Sequence, residues 1–581
     1  MWDKRLEFLV AAFVGALILA PGPSPAAVEM AVRPAGELPG AAPSPELPGD
    51  PLVRRLQEAL AKAGFYHGTV NGRMNPGTEI AIRAYQKSKG MKRDGLVTEA
   101  LANSLETGAK VAVLLKRLER TRKENIDAAK KALLANPATR GLVTDGDGEA
   151  ADPTRDTTPC FRSPTARCLL KEASESAKGI FKDEMRDWAL GEILAAQAKA
   201  GLAPEAMKTV GRIKDPRLIM VALRDIAEAQ AAAGRDEESL AAVDIIPDPL
   251  KRAEALAAIA DIQARRGQAD EARKTVRRLI QALEEIDSAP RKVAFLAKAA
   301  VIMARAGDDR AAAVNLDAAI RLARSPATVG DRGVALRHVA SALAEMAKPA
   351  EALDLLDELG EDSERTPVLV SAANAHARAG DATEALATAE TIEAERYRAV
   401  VLSRIAQAQA KGGDAGAARK SLGKAVAAAK GIKLPFARAY ADSRIVLALI
   451  DIGKVSGDFG VAVETAQGIS DKQLRAHGLW SIAAAQRRGG DEAGAARTER
   501  LASEATDDIK SRVSRVWMFG DIALGHAARG ETNSAWTAFG RALKVARDTQ
   551  NAWGRARVLG RLAAVLVDLT EGTALLPPEE P

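Results

Sequence analysis

The sequence has few aromatic residues: Phe, Trp and Tyr make up 3% of its 581 residues, although 47% are hydrophobic. The apolar residues are mainly Ala, Leu and Val, a composition that suits closely packed helices better than β-sheets. The chain is also too long to fold around one core. We therefore predict an all-α fold made of several domains or of repeats.

Residues that carry catalysis are also scarce. The five histidines are scattered, and none belongs to a closely spaced His/Glu or His/Cys set of the kind that binds metals. The sequence has no Gly-rich loop ending in Gly-Lys-Ser/Thr and no Gly-x-Ser-x-Gly elbow. We therefore predict a protein that is not an enzyme and that holds neither a cofactor nor a metal.

The charge is nearly balanced, with 83 Lys and Arg against 77 Asp and Glu and a net charge of +6. The surplus is spread along the chain, and no dense basic block is interleaved with aromatic residues. Such a pattern argues against nucleic acid as a partner.

Long hydrophobic runs are absent except at the N-terminus, where Lys4 and Arg5 precede the run FLVAAFVGALILA. Ser24 and Ala26 suit the small-residue positions before a cleavage site. The run is shorter than the roughly 20 residues of a spanning helix. These features predict a signal peptide over 1–27 and no stable membrane span after its cleavage; the alternative is an uncleaved anchor.

The only two cysteines, Cys160 and Cys168, bracket the segment FRSPTAR, which we predict to be non-helical. In an oxidising compartment they would form a disulfide that closes a small loop, and the alternative is two free thiols.

A Pro- and Ala-rich tether is predicted over 28–50, followed by a small three-helix domain over 51–106. This domain resembles the peptidoglycan-binding domain of bacterial cell-wall proteins. Two positions depart from the family pattern, since Asn71 replaces Asp and Tyr85 replaces Phe. The matching residues are Leu56, Gln57, Leu60, Gly64, Tyr66, Gly68, Asn71, Gly72, Thr78, Ala81, Ile82, Tyr85, Gln86, Gly90, Asp94 and Gly95.

The resemblance implies binding to cell-wall peptide or glycan, and therefore a periplasmic, cell-wall-associated protein. The polar residues near the loops are the candidate ligand contacts: Tyr66, Asn71, Arg73, Thr78 and Gln86. Because glycines and core residues account for much of the family pattern, a structural role for the matching residues stays open.

A charged amphipathic helix is predicted over 108–136 as a spacer or docking helix, followed by a linker over 137–168. The region 169–575 is repetitive, and 576–581 form a tail. A nine-residue phrase recurs, as in IADIQARRG ending at Gly267 and IAQAQAKGG ending at Gly413. Aligned on its last residue, the phrase places successive units at Gly201, Gly234, Gly267, Gly307, Ala347, Gly380, Gly413, Gly453, Gly490 and Gly530.

Successive units are therefore 33 to 40 residues apart, and a truncated eleventh unit is predicted near 555–575. Such a period with apolar helical patterns on both sides of a glycine indicates an α-solenoid of helix-turn-helix units. The unit resembles the tetratricopeptide repeat in its paired aliphatic and small residues and its turn glycine. The resemblance implies a surface for protein partners.

Two columns of polar residues recur in the repeats. Four residues before the glycine lies an interior position, held by Gln197, Gln230, Gln263, His376, Gln409, Gln486 and His526. We expect these side chains to satisfy backbone groups at loops or helix ends, and the alternative is a ladder that binds a ligand.

The second column lies eleven residues before the interior position and holds cations. It is Arg186, Arg252, Lys292, Arg332, Arg365, Arg398, Arg438, Arg475, Arg515 and Arg555, with Ile219 as the exception. The structural interpretation is that each guanidinium donates to a carbonyl or carboxylate of the preceding loop. The alternative is a basic stripe that receives an acidic segment of a partner.

These features together predict a non-catalytic periplasmic scaffold that binds peptidoglycan and recruits unidentified envelope proteins through its repeats. The alternative is an accessory subunit or regulator of a cell-wall hydrolase or synthase.

Overall fold

The computed structural model describes residues 49–143, 150–152, 154–360 and 362–570. Every regular element within these ranges is helical, as the composition predicts. The chain divides into two units, Met1–Ala128 and Ala129–Glu580. The predicted signal peptide and tail lie outside the described residues, as does nearly all of the predicted tether.

The first unit contains helices α1 (Pro51–Lys62), α2 (Pro76–Ser88) and the first part of α3 (Glu99–Ala135). Both α1 and α2 begin with proline after a capping side chain, since Asp50 Oδ1 accepts from the Leu52 amide and Asn75 Oδ1 from the Thr78 amide, each at 2.8 Å. The three helices enclose a core of Leu56, Ala59, Leu60, Tyr66, Ala81, Ile82, Tyr85, Leu101, Ala102 and Leu105.

Helix α3 differs from the predicted pattern because the third domain helix and the spacer helix are continuous. No break occurs between 106 and 108, and the helix runs for 37 residues through the boundary between the two units. One glycine, Gly108, lies near the expected break. A single glycine costs about 1 kcal/mol inside a helix, which is too little to end a helix that is stabilised on both sides.

The predicted linker over 137–168 also contains helices. A 3₁₀ turn (Arg140–Leu142) and helix α4 (Thr158–Arg162) lie within it, and helix α5 (Ala166–Lys178) begins before its end. Cys160 lies in α4 and Cys168 in α5, so the cysteines are not in a non-helical segment. Pro159 favours the first turn of α4, and the Thr165 hydroxyl accepts from the Cys168 amide at 3.1 Å. A disulfide joins the two cysteines, whose Cα atoms are 5.8 Å apart.

The second unit continues with pairs of antiparallel helices. The first helices of the pairs are α6 (Asp183–Lys199), α8 (Pro216–Ala232), α10 (Pro249–Arg265), α12 (Ala289–Arg305), α14 (Arg332–Glu345), α16 (Asp362–Ala379), α18 (Glu395–Lys411), α20 (Pro435–Ser456), α22 (Lys472–Arg488), α24 (Arg512–Ala527) and α26 (Ala552–Thr570).

The second helices vary more in length. They are α7 (Ala203–Val210), α9 (Asp236–Asp244), α11 (Ala269–Ala282), α13 (Asp309–Ala323), α15 (Pro349–Leu353), α17 (Ala382–Glu390), α19 (Ala415–Gly431), α21 (Gly460–Gly468), α23 (Glu492–Asp507) and α25 (Thr532–Arg547). Short 3₁₀ turns follow α11, α13 and α15 at Leu283–Glu285, Pro326–Thr328 and Leu356–Glu358.

The recurring phrase forms the turn between the two helices of a unit. Gly267 has φ +76°, its amide donates to the Ala264 carbonyl at 3.1 Å, and the Gln268 amide donates to the Gln263 carbonyl at 2.9 Å. This pair of bonds ends a helix in a Schellman motif, in which the left-handed residue lies four positions after the first of the two bonded carbonyls, here that of Gln263. The fixed distance from the interior position to the glycine therefore follows from the turn. Ala347, which replaces the glycine in one unit, adopts φ +59°.

The unit around 453 departs from the predicted alignment. Helix α20 continues through Gly453 to Ser456, and the left-handed residue is Gly457 with φ +75°. A Cβ atom at 453 would lie 2.7 Å from the Phe459 ring, so packing accounts for this glycine. The sequence alignment placed the turn one helical turn too early.

The repeat array closes on itself. Helix α26, the truncated eleventh unit, pairs with α5 as extensively as the two helices of other units pair with each other, and it also packs against α6. One hydrophobic core contains Leu170 and Ile193 from the beginning of the unit together with Leu559 and Leu562 from its end. Helix α5 therefore supplies the missing second helix of the last unit, and the solenoid is a ring.

The first helices form the inner layer of this ring. Each one packs against the first helices of both neighbouring units, whereas the second helices pack chiefly on the first helix of their own unit and of the next. We call the two layers the inner and outer helices. Within the described residues, no helix combines the length and apolar character that crossing a bilayer requires.

Candidate ligand-binding surfaces

Gln57 fixes the loop that connects α1 and α2. Its Oε1 accepts from the amides of Asn71 and Gly72 at 3.0 and 2.9 Å, and its Nε2 donates to the Arg73 carbonyl at 2.9 Å and to Thr78 Oγ1 at 3.0 Å. The side chain is fully buried. One amide thus satisfies four groups of the loop, which gives the loop a defined shape.

Gln86 plays the equivalent role for the loop that connects α2 and α3. Its Oε1 accepts from the Gly95 amide at 3.0 Å, and its Nε2 donates to Asp94 Oδ1 at 2.8 Å. The hydrogen bond from Gln86, and then the one from the Leu96 amide, lower the pKa of Asp94. Gln57 and Asp94, which were absent from the predicted contacts, are therefore structural partners of the loops.

Three of the five predicted ligand contacts are buried. Tyr66, Thr78 and Gln86 are at most 4% exposed, and the Tyr66 hydroxyl donates to the Thr69 carbonyl at 3.0 Å. Asn71 and Arg73 are exposed on the same loop. The structure thus separates two accessible candidates from three side chains that hold the loops.

Two large apolar side chains of the same domain are also accessible. Ile80 is 68% exposed on α2, and Leu96 is 60% exposed on the following loop. Ile80 lies two residues before the buried Ile82, and therefore on the opposite face of α2. Arg83 Nη1 donates to the Arg93 carbonyl and ties this loop to α2. Exposed large apolar side chains are typical of binding surfaces.

Residues 49–105 match the family profile described as "Putative peptidoglycan binding domain". The first unit thus contains a domain of this family. No curated protein matches the chain.

Several solved structures show similarity to this chain at low sequence identity. Ton1535 from Thermococcus onnurineus NA1 shows 18% identity over 55% of this chain and 98% of its own, with a TM-score of 0.27. The human IFIT1 dimer with PPP-AAAA shows 15% identity over 73% and 100%, with a TM-score of 0.24. A circular tandem repeat protein shows 13% identity over 90% and 96%, with a TM-score of 0.15.

In the ring, the interior column joins inner helices to outer ones. Oε1 atoms of Gln197, Gln263 and Gln409 accept from the hydroxyls of Thr209, Thr275 and Ser421, each twelve residues later, at 2.7 to 2.8 Å. The partners are thus side chains of the outer helices, not the backbone groups that we expected. The remaining members face acidic side chains instead: Gln230 to Glu238, His376 to Asp381, Gln486 to Asp491 and His526 to Glu531.

The cation column lies on the face of the inner helices that carries the buried aliphatic residue. Arg365, Arg398 and Arg475 donate to the carbonyls of Leu356, Ile392 and Ile469 at 2.8 to 2.9 Å. These carbonyls belong to the preceding outer segments, so the arginines tie successive units together. Arg332 and Arg555 also donate to backbone carbonyls. The other arginines of the column face carboxylates, in the pairs Arg186 with Asp183, Arg252 with Glu285, Arg438 with Asp442 and Arg515 with Asp507.

The described part of the chain brings no three His, Cys, Asp or Glu side chains close enough together to hold a metal ion. Two open grooves of modest size lie in the ring, one of about 460 Å³ beside Arg365 and one of about 320 Å³ beside Trp480.

Proposed function

We propose that this protein is a non-catalytic periplasmic scaffold, anchored to peptidoglycan by residues 49–105, whose helical ring recruits envelope proteins. The observation that carries the proposal is the family match of residues 49–105 together with an accessible surface on that domain. The proposed contact surface consists of Asn71, Arg73, Ile80 and Leu96. Asn71 and Arg73 would hydrogen-bond to the wall polymer, while Ile80 and Leu96 would pack against its apolar faces.

The closed ring supports the second half of the proposal. A ring of helix pairs is a rigid frame with long inner and outer surfaces, which is the geometry that repeat proteins use to bind other proteins. Export to the periplasm rests on the N-terminal sequence pattern and on the disulfide, since disulfides persist in oxidising compartments.

The test is co-sedimentation of the mature protein with purified sacculi. We expect the full-length protein to sediment and a variant that lacks residues 51–106 to stay in solution. Among full-length variants, Ile80→Ser with Leu96→Ser should weaken binding at least about tenfold, because two large apolar contacts of about 1.5 kcal/mol each are lost. Val314→Ser is the control, since Val314 is equally exposed at 60% in the ring.

Equal sedimentation of the deletion variant would refute anchoring by this domain.

The non-catalytic part of the proposal has its own test, which is prolonged incubation of sacculi with the protein. Release of soluble muropeptides would contradict it.

A further inference from the structure

Outer helix α19 and the loop that leads to α20 form a basic segment of the ring. Residues 415–441 contain six Lys and Arg and no Asp or Glu: Arg419, Lys420, Lys424, Lys430, Lys433 and Arg438. The outer helices α11, α13 and α23 carry charges of both signs. The ring therefore has a positive region, although the chain as a whole is nearly balanced in charge.

Most of these cations lie on the outer face of α19. Four are exposed and, at about 100° per residue, fall within about 140° of the helix circumference: Arg419, Lys420, Lys424 and Lys430. Lys424 pairs with Glu390 of α17. The opposite face, with Ala418, Leu422 and Ala425, is buried in a core that α18 shares. Helix α19 is thus amphipathic with a basic outer face, a pattern typical of helices that contact membrane surfaces.

The loop after α19 exposes large apolar side chains next to two lysines. The four consecutive residues 433–436 are all exposed, with Leu434 at 58% and Phe436 at 47%. Lys433 immediately precedes Leu434, and Lys430 lies at the end of α19. This loop therefore combines apolar side chains and positive charge within seven residues.

The first turn of α18 lies beside this loop. A Cβ atom at Gly431 would overlap with the carboxylate of Glu395, so the two segments are in close contact. Tyr397 is 42% exposed on the same turn, and its ring lies 4.8 Å from the Arg396 guanidinium. The charge stays positive when this turn is included, since residues 390–441 contain ten Lys and Arg against four Asp and Glu.

We propose that this region attaches the ring to the surface of an anionic lipid bilayer. We call Tyr397, Lys430, Lys433, Leu434 and Phe436 the lipid patch. The two lysines would lie among the headgroups, while Leu434 and Phe436 would insert below them and Tyr397 would lie at the headgroup level. The inference goes beyond the proposed scaffold function and does not depend on peptidoglycan binding.

The arrangement of charge and apolar surface favours a bilayer over an acidic protein or a nucleic acid. Leu434 and Phe436 lie on an exposed loop, so the partner must supply the apolar environment that receives them. A bilayer has negative headgroups directly above a hydrocarbon interior, and it can therefore bind the cations and the apolar side chains at the same time. A nucleic acid has the negative charge but no hydrocarbon interior.

The test is co-sedimentation of the mature protein, which starts after the predicted signal peptide, with lipid vesicles. We expect binding to vesicles of phosphatidylcholine and phosphatidylglycerol in equal parts, and much weaker binding to vesicles of phosphatidylcholine alone. Added salt should weaken the binding, because it screens the attraction between the lysines and the headgroups.

Two double variants separate the two contributions. Leu434→Ser with Phe436→Ser should weaken vesicle binding at least about tenfold through lost apolar contacts, and Lys430→Gln with Lys433→Gln by a similar factor through lost charge. Matched controls come from α13 and the loop that follows it, where the corresponding side chains are also exposed. They are Val314→Ser with Val329→Ser, and Arg310→Gln with Arg321→Gln.

A fluorescent label measures insertion directly. The two native cysteines form a disulfide, so Leu434→Cys introduces a single thiol for an environment-sensitive fluorophore. We expect its emission to brighten and shift to the blue with anionic vesicles, and to stay unchanged with polyglutamate or a single-stranded oligonucleotide. Val329→Cys with the same label is the control and should not respond.

Absence of binding to the anionic vesicles, or equal losses in the control variants, would overturn the proposal. A silent label at position 434, with polyglutamate or the oligonucleotide bound through Lys430 and Lys433, would overturn it in favour of an acidic protein or a nucleic acid. Circular dichroism checks folding, and Phe436→Ser alone, with an expected loss of about threefold, replaces the double variant if that one unfolds.

The variants also separate the lipid patch from the surface proposed for the cell wall. Ile80→Ser with Leu96→Ser should keep its vesicle binding, and Leu434→Ser with Phe436→Ser should keep its co-sedimentation with sacculi. Loss of vesicle binding in the Ile80 and Leu96 variant would place the lipid contact on the first unit and contradict the inference.

Discussion

The guanidinium of Arg557 on α26 makes two hydrogen bonds to the carboxylate of Glu192 on α6, Nη2 to Oε1 at 2.8 Å and Nε to Oε2 at 2.9 Å, across 365 positions of sequence. The rings of Trp188, Trp517 and Trp553 lie 4.7 to 4.9 Å from the same guanidinium. The aromatic residues of the last repeats thus take part in closing the ring. Cation–π contacts with the indole rings and hydrogen bonds to the carboxylate together fix the position of this guanidinium.

Glu192→Gln tests this contact. We expect the free energy of unfolding to fall by about 2 kcal/mol, because Arg557 is only 12% exposed and would lose its countercharge. Urea denaturation measures the change. The control is Glu351→Gln, which breaks an exposed pair with Lys348 (2.9 Å) and should cost less than about 1 kcal/mol. Equal effects of the two substitutions would show that the Glu192 contact does not stabilise the closure.

Helix α5 couples the beginning of the second unit to its end. Leu170→Ala in α5 should destabilise the protein by about 2–5 kcal/mol and reduce amide protection in α26 in hydrogen exchange, although α26 lies nearly 400 residues later. Leu279→Ala is the matched control, since Leu279 is equally buried in the outer helix α11. Its effect should be confined to α10, α11 and α12. Unchanged protection in α26 after Leu170→Ala would contradict the pairing of α5 with α26.

The turns of the repeats could be predicted from the sequence because the Schellman motif is local. The Gln263 carbonyl, the Gln268 amide and Gly267 lie within six residues, so one phrase encodes the whole turn. The alignment failed at Gly453 because a glycine also serves close packing, and sequence alone does not distinguish that use from a left-handed turn.

The closure could not be predicted in the same way. The repeat pattern showed that the unit near 555–575 lacks a second helix, but α5 does not carry the recurring phrase and lies at the other end of the array.

At the candidate site, Thr78 and Gln86 are polar residues near loops, as a ligand contact would be. Only the structure shows that they face the interior and bind Gln57 and Asp94.

The interior column offers a test of how the helices of a unit are joined. Thr275→Val would leave the buried Oε1 of Gln263 without its donor and should cost about 1–3 kcal/mol. Because Nε2 of Gln263 is already unsatisfied, the double variant Gln263→Met, Thr275→Val should recover most of this loss. Urea denaturation of the two single variants and the double variant gives the coupling energy.

Thr498→Val is the comparison for this cycle. Thr498 is the equivalent residue opposite Gln486, but Gln486 Nε2 donates to Asp491 at 3.4 Å. We therefore expect a smaller cost than for Thr275→Val. Strictly additive effects of the Gln263 and Thr275 substitutions would show that the hydrogen bond does not couple the helices.

Glu531 should make the stability of the ring depend on acid pH. Burial opposes its ionisation, but hydrogen bonds from Arg529 and His526 and the charge of Arg488 outweigh it and lower the pKa of Glu531 from 4.5 to about 2. A carboxyl group with a lowered pKa in the folded state stabilises above its ordinary pKa, and this contribution is lost as the pH falls from about 4.5 toward 2. Glu531→Gln should therefore cost about 2 kcal/mol at pH 7 and much less at pH 3, as measured by urea denaturation at both pH values.

Glu284→Gln, at an exposed glutamate, controls for the loss of a carboxylate. A cost for Glu531→Gln that is the same at both pH values would mean that packing, not the charge of Glu531, is what the substitution removes.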